Sequence, residues 1–392
     1  FFQLINFIQN AYLIRIFVMN KMLSRNQNVI RVAARSHFSA DPARSPQTEI
    51  ILLHAGQPWN EFHAKEFLKN QSAQSMRLRM PNFVHTLIAN GKLKNENLKG
   101  CIAAYKNVPS LESQVDRLGK KIEESLDTVV PEHGPFKVSR LFQFDEVSFE
   151  DQLKEIKSHR SQHYIFMPLY PHFSAIDSET LLVKSAKIIE QTSSPLVQGN
   201  KNITSSRIEQ NSDYSYDVSA IWRWNNHPIL ADYWSSKIKE VLPKLDGVVF
   251  AAPRKFTCNY GPVFASCERT MNQLGDLIPW RLGFYSSWDS FDLPSMQGVA
   301  SQVQKIRKTS ESGKVAVVPI TDVIETFNTL YTLPKKVEHL KNALVLRPDY
   351  ESDHLTHGIS EIVKNLLLGR KDQQLEVACS TRQLQNLNIF LH

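Results

Sequence analysis

The 392-residue chain lacks the short motifs that mark several large classes of enzyme. It has no GxGxxG, no GxxxxGK[ST] and no HExxH, which gives no support for a dinucleotide-binding fold, a phosphate-binding loop or a zinc protease. The GxSxG sequence of α/β-hydrolases is also missing. Any activity must therefore depend on a less general pattern.

Cysteine is scarce, with four residues in the whole chain and no CxxC pair. Four scattered cysteines are too few for a disulfide framework or a zinc ribbon. This usage predicts a reducing compartment with free thiols. The four are Cys101, Cys258, Cys267 and Cys379.

Acidic residues are absent from the first 40 positions, which hold five basic ones: Arg15, Lys21, Arg25, Arg31 and Arg35. The formal charge of the whole chain is +7, so the remaining residues carry only +2. The overall pI of about 9.1 is therefore due mostly to this segment and does not predict a nucleic-acid partner.

The amino-terminal segment, residues 1–45, has the composition of a leader. Residues 1–18 are apolar, but polar residues interrupt them, so they are marginal against the ~20 apolar residues of a membrane span. From Met19 or Met22 to residue 40, the sequence contains Arg and Ser but no acidic residue. This composition is typical of a mitochondrial transit peptide; a disordered basic tail is the alternative. We predict location in the mitochondrial matrix or on the matrix side of the inner membrane, and we exclude 1–45 from the fold.

Short apolar runs alternate with amphipathic stretches along the rest of the chain. Several runs are apolar at consecutive positions, as in strands that are covered by helices on both faces. Predicted strands lie at 50–53, 138–144, 164–168, 248–251, 281–285, 315–320 and 343–346. Predicted helices lie at 110–126, 149–158, 179–191, 228–241, 295–312 and 355–368. The repetition predicts an α/β protein with mostly parallel sheets.

The pattern divides the chain into two halves of the same kind. We predict an amino-terminal Rossmann-like half at 46–244, a carboxyl-terminal Rossmann-like half at 245–370 and a tail at 371–392. The polar stretch 198–216 is predicted to be a long loop inside the first half.

Two groups of polar residues follow predicted strands, where α/β sheets place ligand-binding loops. His172 comes soon after the strand at 164–168. Asp322 and Glu325 come soon after the strand at 315–320, and on a helix residues three apart share one face. The two carboxylates either cap the start of a helix or guide protons or a divalent cation.

Five segments, in order, resemble ferrochelatases, the enzymes that insert ferrous iron into protoporphyrin. Residues 167–174, Met-Pro-Leu-Tyr-Pro-His-Phe-Ser, resemble the family's Pro-Leu-Tyr-Pro-Gln-Tyr-Ser. Residues 318–326, Val-Pro-Ile-Thr-Asp-Val-Ile-Glu-Thr, resemble its Val-Pro-Ile strand and Ser-Asp-His-Ile-Glu-Thr motif. Three further segments complete the match. Residues 50–58 resemble the family's first strand and its turn, residues 222–228 resemble its Arg-Trp segment, and residues 278–282 resemble its Asn-Pro-Tyr-Arg-Leu. The resemblance implies two chelatase-type halves with a porphyrin cleft between them.

The sequence departs from the family at its catalytic positions. Residues 248–255 stand where the family has Ser-Ala-His-Ser-Leu-Pro, and Pro253 occupies the histidine position. Proline has neither a titratable proton nor a ligating lone pair. Val323 replaces the histidine of the Asp-His-Ile-Glu motif. Cys379 stands alone in the tail, so we predict no iron–sulfur cluster and no required cofactor.

The resemblance leaves Glu325 and Asp322 as the polar groups of the site. The implied porphyrin-binding residues are Tyr170, His172, Phe173, Trp280 and Phe284, with Trp288 nearby in sequence. Ordinary core packing is the alternative role for these aromatic residues. We predict no resident metal site.

Two functions from different classes remain open at this stage. The chain is either a degenerate member that binds porphyrin or haem without turnover, or a divergent ferrochelatase that works through Glu325, Asp322 and His172. Pro253 favours the first. A metal carrier of the periplasmic-binding type is a weaker third, because no cluster of three ligands supports it. The resemblance also allows association with the inner mitochondrial membrane and a homodimer.

Overall fold

A computed structural model describes eleven segments of the chain. These are residues 46–58, 60–75, 82–93, 96–174, 177–191, 216–254, 260–275, 278–286, 297–309, 313–369 and 376–378. The predicted leader, nearly all of the predicted loop at 198–216, and Trp288, Cys258 and Cys379 lie outside the described residues.

Five strands form the first sheet, in the order β2-β1-β3-β4-β9. Their bounds are β1 (Thr48–His54), β2 (Phe136–Phe142), β3 (His163–Pro168), β4 (Asp217–Arg223) and β9 (Glu376–Ala378). Strands β1 to β4 pair in parallel, and β9 adds an antiparallel edge against β4. All seven residues of β1 are buried, which explains the apolar run 50–53 at its centre.

Among the described residues, seven α-helices accompany the first sheet. They are α1 (Glu61–Ser75), α2 (Asn82–Leu93), α3 (Glu96–Tyr105), α4 (Leu111–Val129), α5 (Phe149–Ser158), α6 (Ser178–Gln191) and α7 (Pro228–Val241). The hydroxyl of Ser110 accepts a hydrogen bond from the backbone N–H of Ser113 and so caps α4. Leu111, Val115, Leu118 and Ile122 recur at helical spacing and bury one face of that helix.

Four parallel strands form the second sheet, in the order β6-β5-β7-β8. Their bounds are β5 (Gly247–Pro253), β6 (Trp280–Tyr285), β7 (Val315–Val318) and β8 (Ala343–Val345). The helices of this part are α8 (Gly261–Asn272), α9 (Val299–Arg307), α10 (Leu333–Val337) and α11 (Asp353–Leu367). A π-helical turn, Asn328–Thr332, leads directly into α10.

One hydrophobic core extends across both sheets. It joins Ile50 of β1 with Val248 of β5 through residues of α4, α7, α8 and α11. Helix α11 follows the second sheet in sequence but packs against α4 and α7. At Gly358 of α11 an added Cβ would lie 2.1 Å from the side chain of Ile229, so the backbones of α11 and α7 approach closely.

The predicted α/β class with two parallel, helix-flanked sheets is confirmed. All seven predicted strands are present, and the structure adds β4 and β9. Strand β9 corrects the prediction that the tail has no pattern, because it pairs with the first sheet. The bounds of α5 and α7 agree with prediction, whereas α1 to α3, α8 and α10 were not predicted. The cleft between the halves stays a prediction.

Candidate functional site

The candidate site lies at the carboxyl ends of the second sheet. Strand β5 ends at Pro253, which pairs in register with Tyr285 at the end of β6. Strand β7 ends at Val318 and continues into residues 319–326. Because these strands are parallel, their following residues emerge at one edge, where open α/β sheets bind ligands.

The two positions that resemble the family's histidines carry buried apolar residues. Pro253 is the last residue of β5 and is buried. Val323 is fully buried in the core that spans both sheets. Neither side chain can accept a proton or bind a cation.

Backbone hydrogen bonds from the amino-terminal half fix the position of Glu325. Its N–H donates to Oε1 of Gln114 at 3.0 Å, and its carbonyl accepts from the hydroxyl of Tyr105 at 3.2 Å. Gln114 itself is fully buried, and its Nε2 donates to the Pro109 carbonyl at 3.0 Å. The loop after β7 is therefore fixed by α3 and α4, more than 200 residues earlier in the chain.

The carboxylate of Glu325 forms an ion pair with the guanidinium of Arg347, just after β8. Burial raises the pKa of Glu325, the positive charge of Arg347 opposes that rise, and the negative charge of Asp349 adds to it. The side chain of Glu325 is 8% exposed and that of Arg347 is 53% exposed. The pair thus joins a buried acid to an arginine that solvent reaches.

Asp322 lies beside Glu325 in sequence but not on a shared helical face. Residues 319–326 form turns, and helical structure begins only after them. Asp322 and Glu325 therefore precede the helical structure and do not share one of its faces, and no side chain forms a capping hydrogen bond to the π-helical turn Asn328–Thr332. The Thr321 hydroxyl donates to Oδ2 of the half-buried Asp322 at 3.0 Å, which holds that carboxylate locally.

At the carboxyl edge of the first sheet, Tyr170 stacks on His54. The ring centroids are 4.8 Å apart with planes inclined by 24°. The backbone N–H of Ala55 donates to the Tyr170 hydroxyl oxygen at 3.1 Å, and the N–H of Gly56 donates to Nδ1 of His54 at 3.0 Å. Gly56 has φ +84°, and a Cβ there would lie 2.3 Å from the carbonyl oxygen of Phe144. Only glycine fits this turn without strain.

His172 joins the two halves of the molecule. It is 1% exposed, and its Nε2 lies within hydrogen-bonding distance, 3.0 Å, of Oγ of Ser266 in α8. Burial, assisted by the charge of Arg269, lowers the pKa of His172 to about 3. The imidazole is therefore neutral at ordinary pH, and it lies in an interface between a loop of the first half and a helix of the second.

The aromatic residues expected around a porphyrin do not all lie at one edge. Phe173 is half-buried and stacks on Trp222, with centroids 6.3 Å apart. Phe284 is 5% exposed near the carboxyl end of β6. Trp280 begins β6 opposite Val248, so the rise of ~3.3 Å per residue sets it about 16 Å back from the carboxyl end, at the opposite edge of the sheet. There it packs against Phe250 and Phe264.

Trp280 and Phe284 lie on the same face of β6, four residues and ~13 Å apart along the strand. Their role in porphyrin binding stays a prediction. Tyr170 and Phe173 are near the carboxyl end of β3, whereas His172 between them points into the α8 contact.

A family model for ferrochelatase matches residues 47–347, most of the chain. The chain belongs to the ferrochelatase family. No curated protein sequence matches it significantly. Two solved structures of SirB from Bacillus subtilis resemble this ferrochelatase-family chain weakly.

One of these is a complex with Fe3+, with 13% identity and a TM-score of 0.43; it aligns over 83% of this chain and 98% of SirB. The other is the sirohydrochlorin chelatase SirB from subspecies spizizenii in complex with cobalt. It has 11% identity and a TM-score of 0.40, over 84% of this chain and 98% of that one. At this level of similarity, neither structure bears on the reaction of the present ferrochelatase-family protein.

The described segments of this ferrochelatase-family protein contain no group of three or more His, Cys, Asp or Glu side chains arranged to hold a metal ion. No helix among the described residues is long and apolar enough to cross a membrane.

Sequence reasoning missed three residues of the site: Tyr105, Gln114 and Arg347. Arg347 had a weak signal, because it directly follows a predicted strand at the same sheet edge as Glu325. Tyr105 and Gln114 had none, since they act on the Glu325 backbone through contacts that only the folded chain creates.

Proposed function

We propose that this ferrochelatase-family protein binds a porphyrin or haem and inserts metal into porphyrin poorly or not at all. The observation that carries the proposal is the ion pair between Glu325 and Arg347. The carboxylate at the position that resembles the family motif is bound by Arg347, while Pro253 and Val323 stand where the resemblance expects histidines.

Metal insertion removes two protons from pyrrole nitrogens and delivers a cation to the ring. It needs a group that accepts protons near neutral pH, and loss of a general base typically costs ~10²–10⁴ in rate. Burial raises the pKa of Glu325, while the ion pair with Arg347 opposes that rise and holds the carboxylate in place. His172 is buried against Ser266 with a pKa of about 3, so it does not replace the missing base.

Binding makes fewer demands than turnover. A flat tetrapyrrole needs an apolar slot and a few polar contacts. Tyr170, Phe173 and Phe284 follow or end strands near the carboxyl edges, and Asp322 and Glu325 supply polar groups there. We assign the protein to haem metabolism in the mitochondrion on the strength of the leader composition and the family.

Purified residues 46–392 test this proposal in one cuvette. Quenching of protein fluorescence by protoporphyrin IX reports binding, and the shift of porphyrin fluorescence on adding zinc or ferrous iron reports insertion. We expect saturable binding without insertion. No binding would refute the proposal, and so would insertion within ~10-fold of the ~10 s⁻¹ typical of enzymes.

The Pro253→His variant tests whether the missing histidine alone accounts for the lack of metal insertion. We expect it to restore little insertion, because Val323 is unrepaired and catalytic groups act as a unit. The second candidate function, a divergent but active ferrochelatase, is favoured by the buried Glu325 at the sheet edge. In that case Glu325→Gln abolishes insertion while porphyrin binding remains.

A further inference from the structure

We propose that side chains of α4 and α5 close the free edge of the first sheet, so that β2 does not pair with β2 of a second copy of this chain. Among the described residues, β2 is the outer strand of that sheet and pairs with β1 on one side. An outer strand with open N–H and C=O groups is a template for pairing with another chain. The inference concerns contacts between copies and does not depend on the proposed function.

Alternate residues of β2 direct their backbone groups toward β1 or away from it. Just past β2, the N–H of Gln143 donates to the carbonyl of His54 in β1 at 3.0 Å. Just before β2, the carbonyl of Pro135 accepts from the N–H of Gln47 at 2.9 Å. Odd-numbered residues therefore face β1, and even-numbered residues direct their N–H and C=O groups outward. The outward residues of the strand are Phe136, Val138, Arg140 and Phe142.

Two carboxylates of α4 accept hydrogen bonds from outward N–H groups of β2. Val138 donates its N–H to Oε1 of Glu123 at 2.6 Å, and Phe136 donates its N–H to Oδ1 of Asp127 at 3.2 Å. The two acids are four residues apart on the helix, a rise of ~6 Å, and their partners are two residues apart on the strand, a rise of ~6.6 Å. Because these repeats match, one side of α4 follows the strand edge in the opposite direction.

The helix lies close enough to the strand for these side chains to reach it. At Gly119 of α4 an added Cβ would lie 3.0 Å from Cγ1 of Val138, so glycine permits the close approach. The guanidinium of Arg140, an outward residue of the strand, forms an ion pair with Asp116 of α4. A second strand could therefore take the N–H of Val138 only by displacing a carboxylate of this helix.

Gln152 of α5 closes the carboxyl end of the same edge. Its Oε1 accepts from the N–H of Phe142 at 3.0 Å, and its Nε2 donates to the carbonyl of Phe142, also at 3.0 Å. Residues of adjacent antiparallel strands exchange such a pair of bonds. Gln152 is buried, and its Nε2 also donates to the carbonyl of Val147 at 2.8 Å. Its amide thus occupies the place that a residue of a neighbouring strand would take.

Hydrogen exchange of the folded full-length chain, measured by NMR, tests whether the edge is closed. Hydrogen-bonded amides exchange slowly, whereas amides open to water exchange fast. We expect slow exchange at Phe136, Val138 and Phe142 in the unmodified protein. Glu123→Ala should speed exchange at Val138 by about 10-fold, the factor that corresponds to one net hydrogen bond, and leave Phe142 unchanged. Glu123→Gln keeps an acceptor oxygen and should keep most of the protection.

Sedimentation velocity at several protein concentrations tests whether the closed edge keeps copies apart. The edge variant combines Glu123→Ala, Asp127→Ala and Gln152→Ala. Its control combines Glu124→Ala and Glu155→Ala, which removes the same number of negative charges from exposed positions of the same two helices. We expect the edge variant to show an association step that the unmodified protein and the control do not show. In the associated form, exchange at Val138 and Phe142 should be slow again, because carbonyls of the second copy accept those N–H groups.

Three results would overturn the inference. Fast exchange at Val138 and Phe142 in the unmodified protein would show that the edge is open. A folded edge variant that sediments like the unmodified protein at every concentration would show that these side chains satisfy the backbone without preventing pairing. Equal association of the control would assign the effect to lost charge. Thermal unfolding establishes which variants are folded. If the edge variant is not, Glu123→Ala and Gln152→Ala are compared singly, and no association in either would refute the proposal.

Discussion

The hydroxyl of Tyr105 donates a hydrogen bond of 3.2 Å to the backbone carbonyl of Glu325, which lies 220 residues later in the chain. The contact makes the position of the candidate acid dependent on a helix of the other half. The Tyr105 ring also packs edge-on against Phe327, with centroids 5.2 Å apart. Tyr105 therefore holds the loop after β7 at two points, the Glu325 carbonyl and the Phe327 ring.

Removing this hydroxyl should loosen the loop. We expect Tyr105→Phe to lower the free energy of unfolding by about 1–2 kcal/mol, because the ring packing survives while a buried carbonyl loses its donor. Tyr331→Phe is the control, since the hydroxyl of the half-buried Tyr331 accepts a hydrogen bond from Lys335, one helical turn later, at 2.9 Å. Urea unfolding of both variants measures the difference; equal effects would contradict the role of Tyr105.

Two glycines of the first half should respond in opposite directions to alanine. Gly56→Ala forces a Cβ to 2.3 Å from the Phe144 carbonyl at φ +84°, so we expect a loss of more than ~2 kcal/mol. Gly91 lies in α2 with no atom within 4 Å of an added Cβ, and Gly91→Ala should gain roughly 0.5–1 kcal/mol from helix propensity. Thermal unfolding of the two variants compares them, and a neutral Gly56→Ala would refute the strained turn.

Stability should fall as the pH is lowered from neutral, partly because of His172. Burial sets its folded pKa at about 3, below the 6.5 of the unfolded chain, so the unfolded state binds more protons between these values. The neutral folded form is therefore fully favoured above pH 6.5, and this advantage is lost progressively as the pH falls toward 3. From pH 7.5 to 5 the loss is about 2 kcal/mol.

The His172→Gln variant isolates this contribution, because glutamine can still bond to Ser266 without titrating. We expect its unfolding free energy to depend less on pH over that interval than that of the unmodified protein. His357→Gln, at an exposed position on α11, should keep the original dependence. Parallel pH profiles for the unmodified protein and His172→Gln would count against a neutral, buried His172.

A buried carboxylate far from the site should matter for folding alone. Glu49 in β1 is fully buried and accepts hydrogen bonds from Ser161 at 2.8 Å and from Ser139, and it lies 2.9 Å from Nδ1 of His159. We expect Glu49→Ala to cost about 3–5 kcal/mol, because it leaves buried donors without their acceptor. Glu155→Ala, on the exposed face of α5, is the control and should change stability by less than ~0.5 kcal/mol.

Porphyrin affinity distinguishes a residue that is needed only for folding from a residue of the binding site. If Glu49→Ala remains folded at low temperature, its affinity for protoporphyrin IX should equal that of the unmodified protein. A selective loss of binding without loss of stability would place Glu49 in the binding site instead.

The sequence by itself determined the α/β class, the seven strands that it predicted and the bounds of α5 and α7. Local sequence patterns identify these elements. Strand β5 is buried and apolar at every position, β1 contains the apolar run 50–53, and Pro228 at the first position of α7 marks a helix start. The family resemblance located Glu325, Pro253 and Val323 in the same way, because a motif is also a local pattern.

Only the tertiary structure decided what surrounds Glu325 and which aromatic residues share an edge. Its partners Tyr105, Gln114 and Arg347 come from three separate elements, and no periodicity links them. Trp280 and Phe284 are four residues apart in one strand, yet the strand's rise carries Trp280 toward the opposite edge of the sheet. Burial, ion pairing and hydrogen bonding act through space, so the basicity of Glu325 and the exposure of Arg347 were fixed only when the two halves packed together.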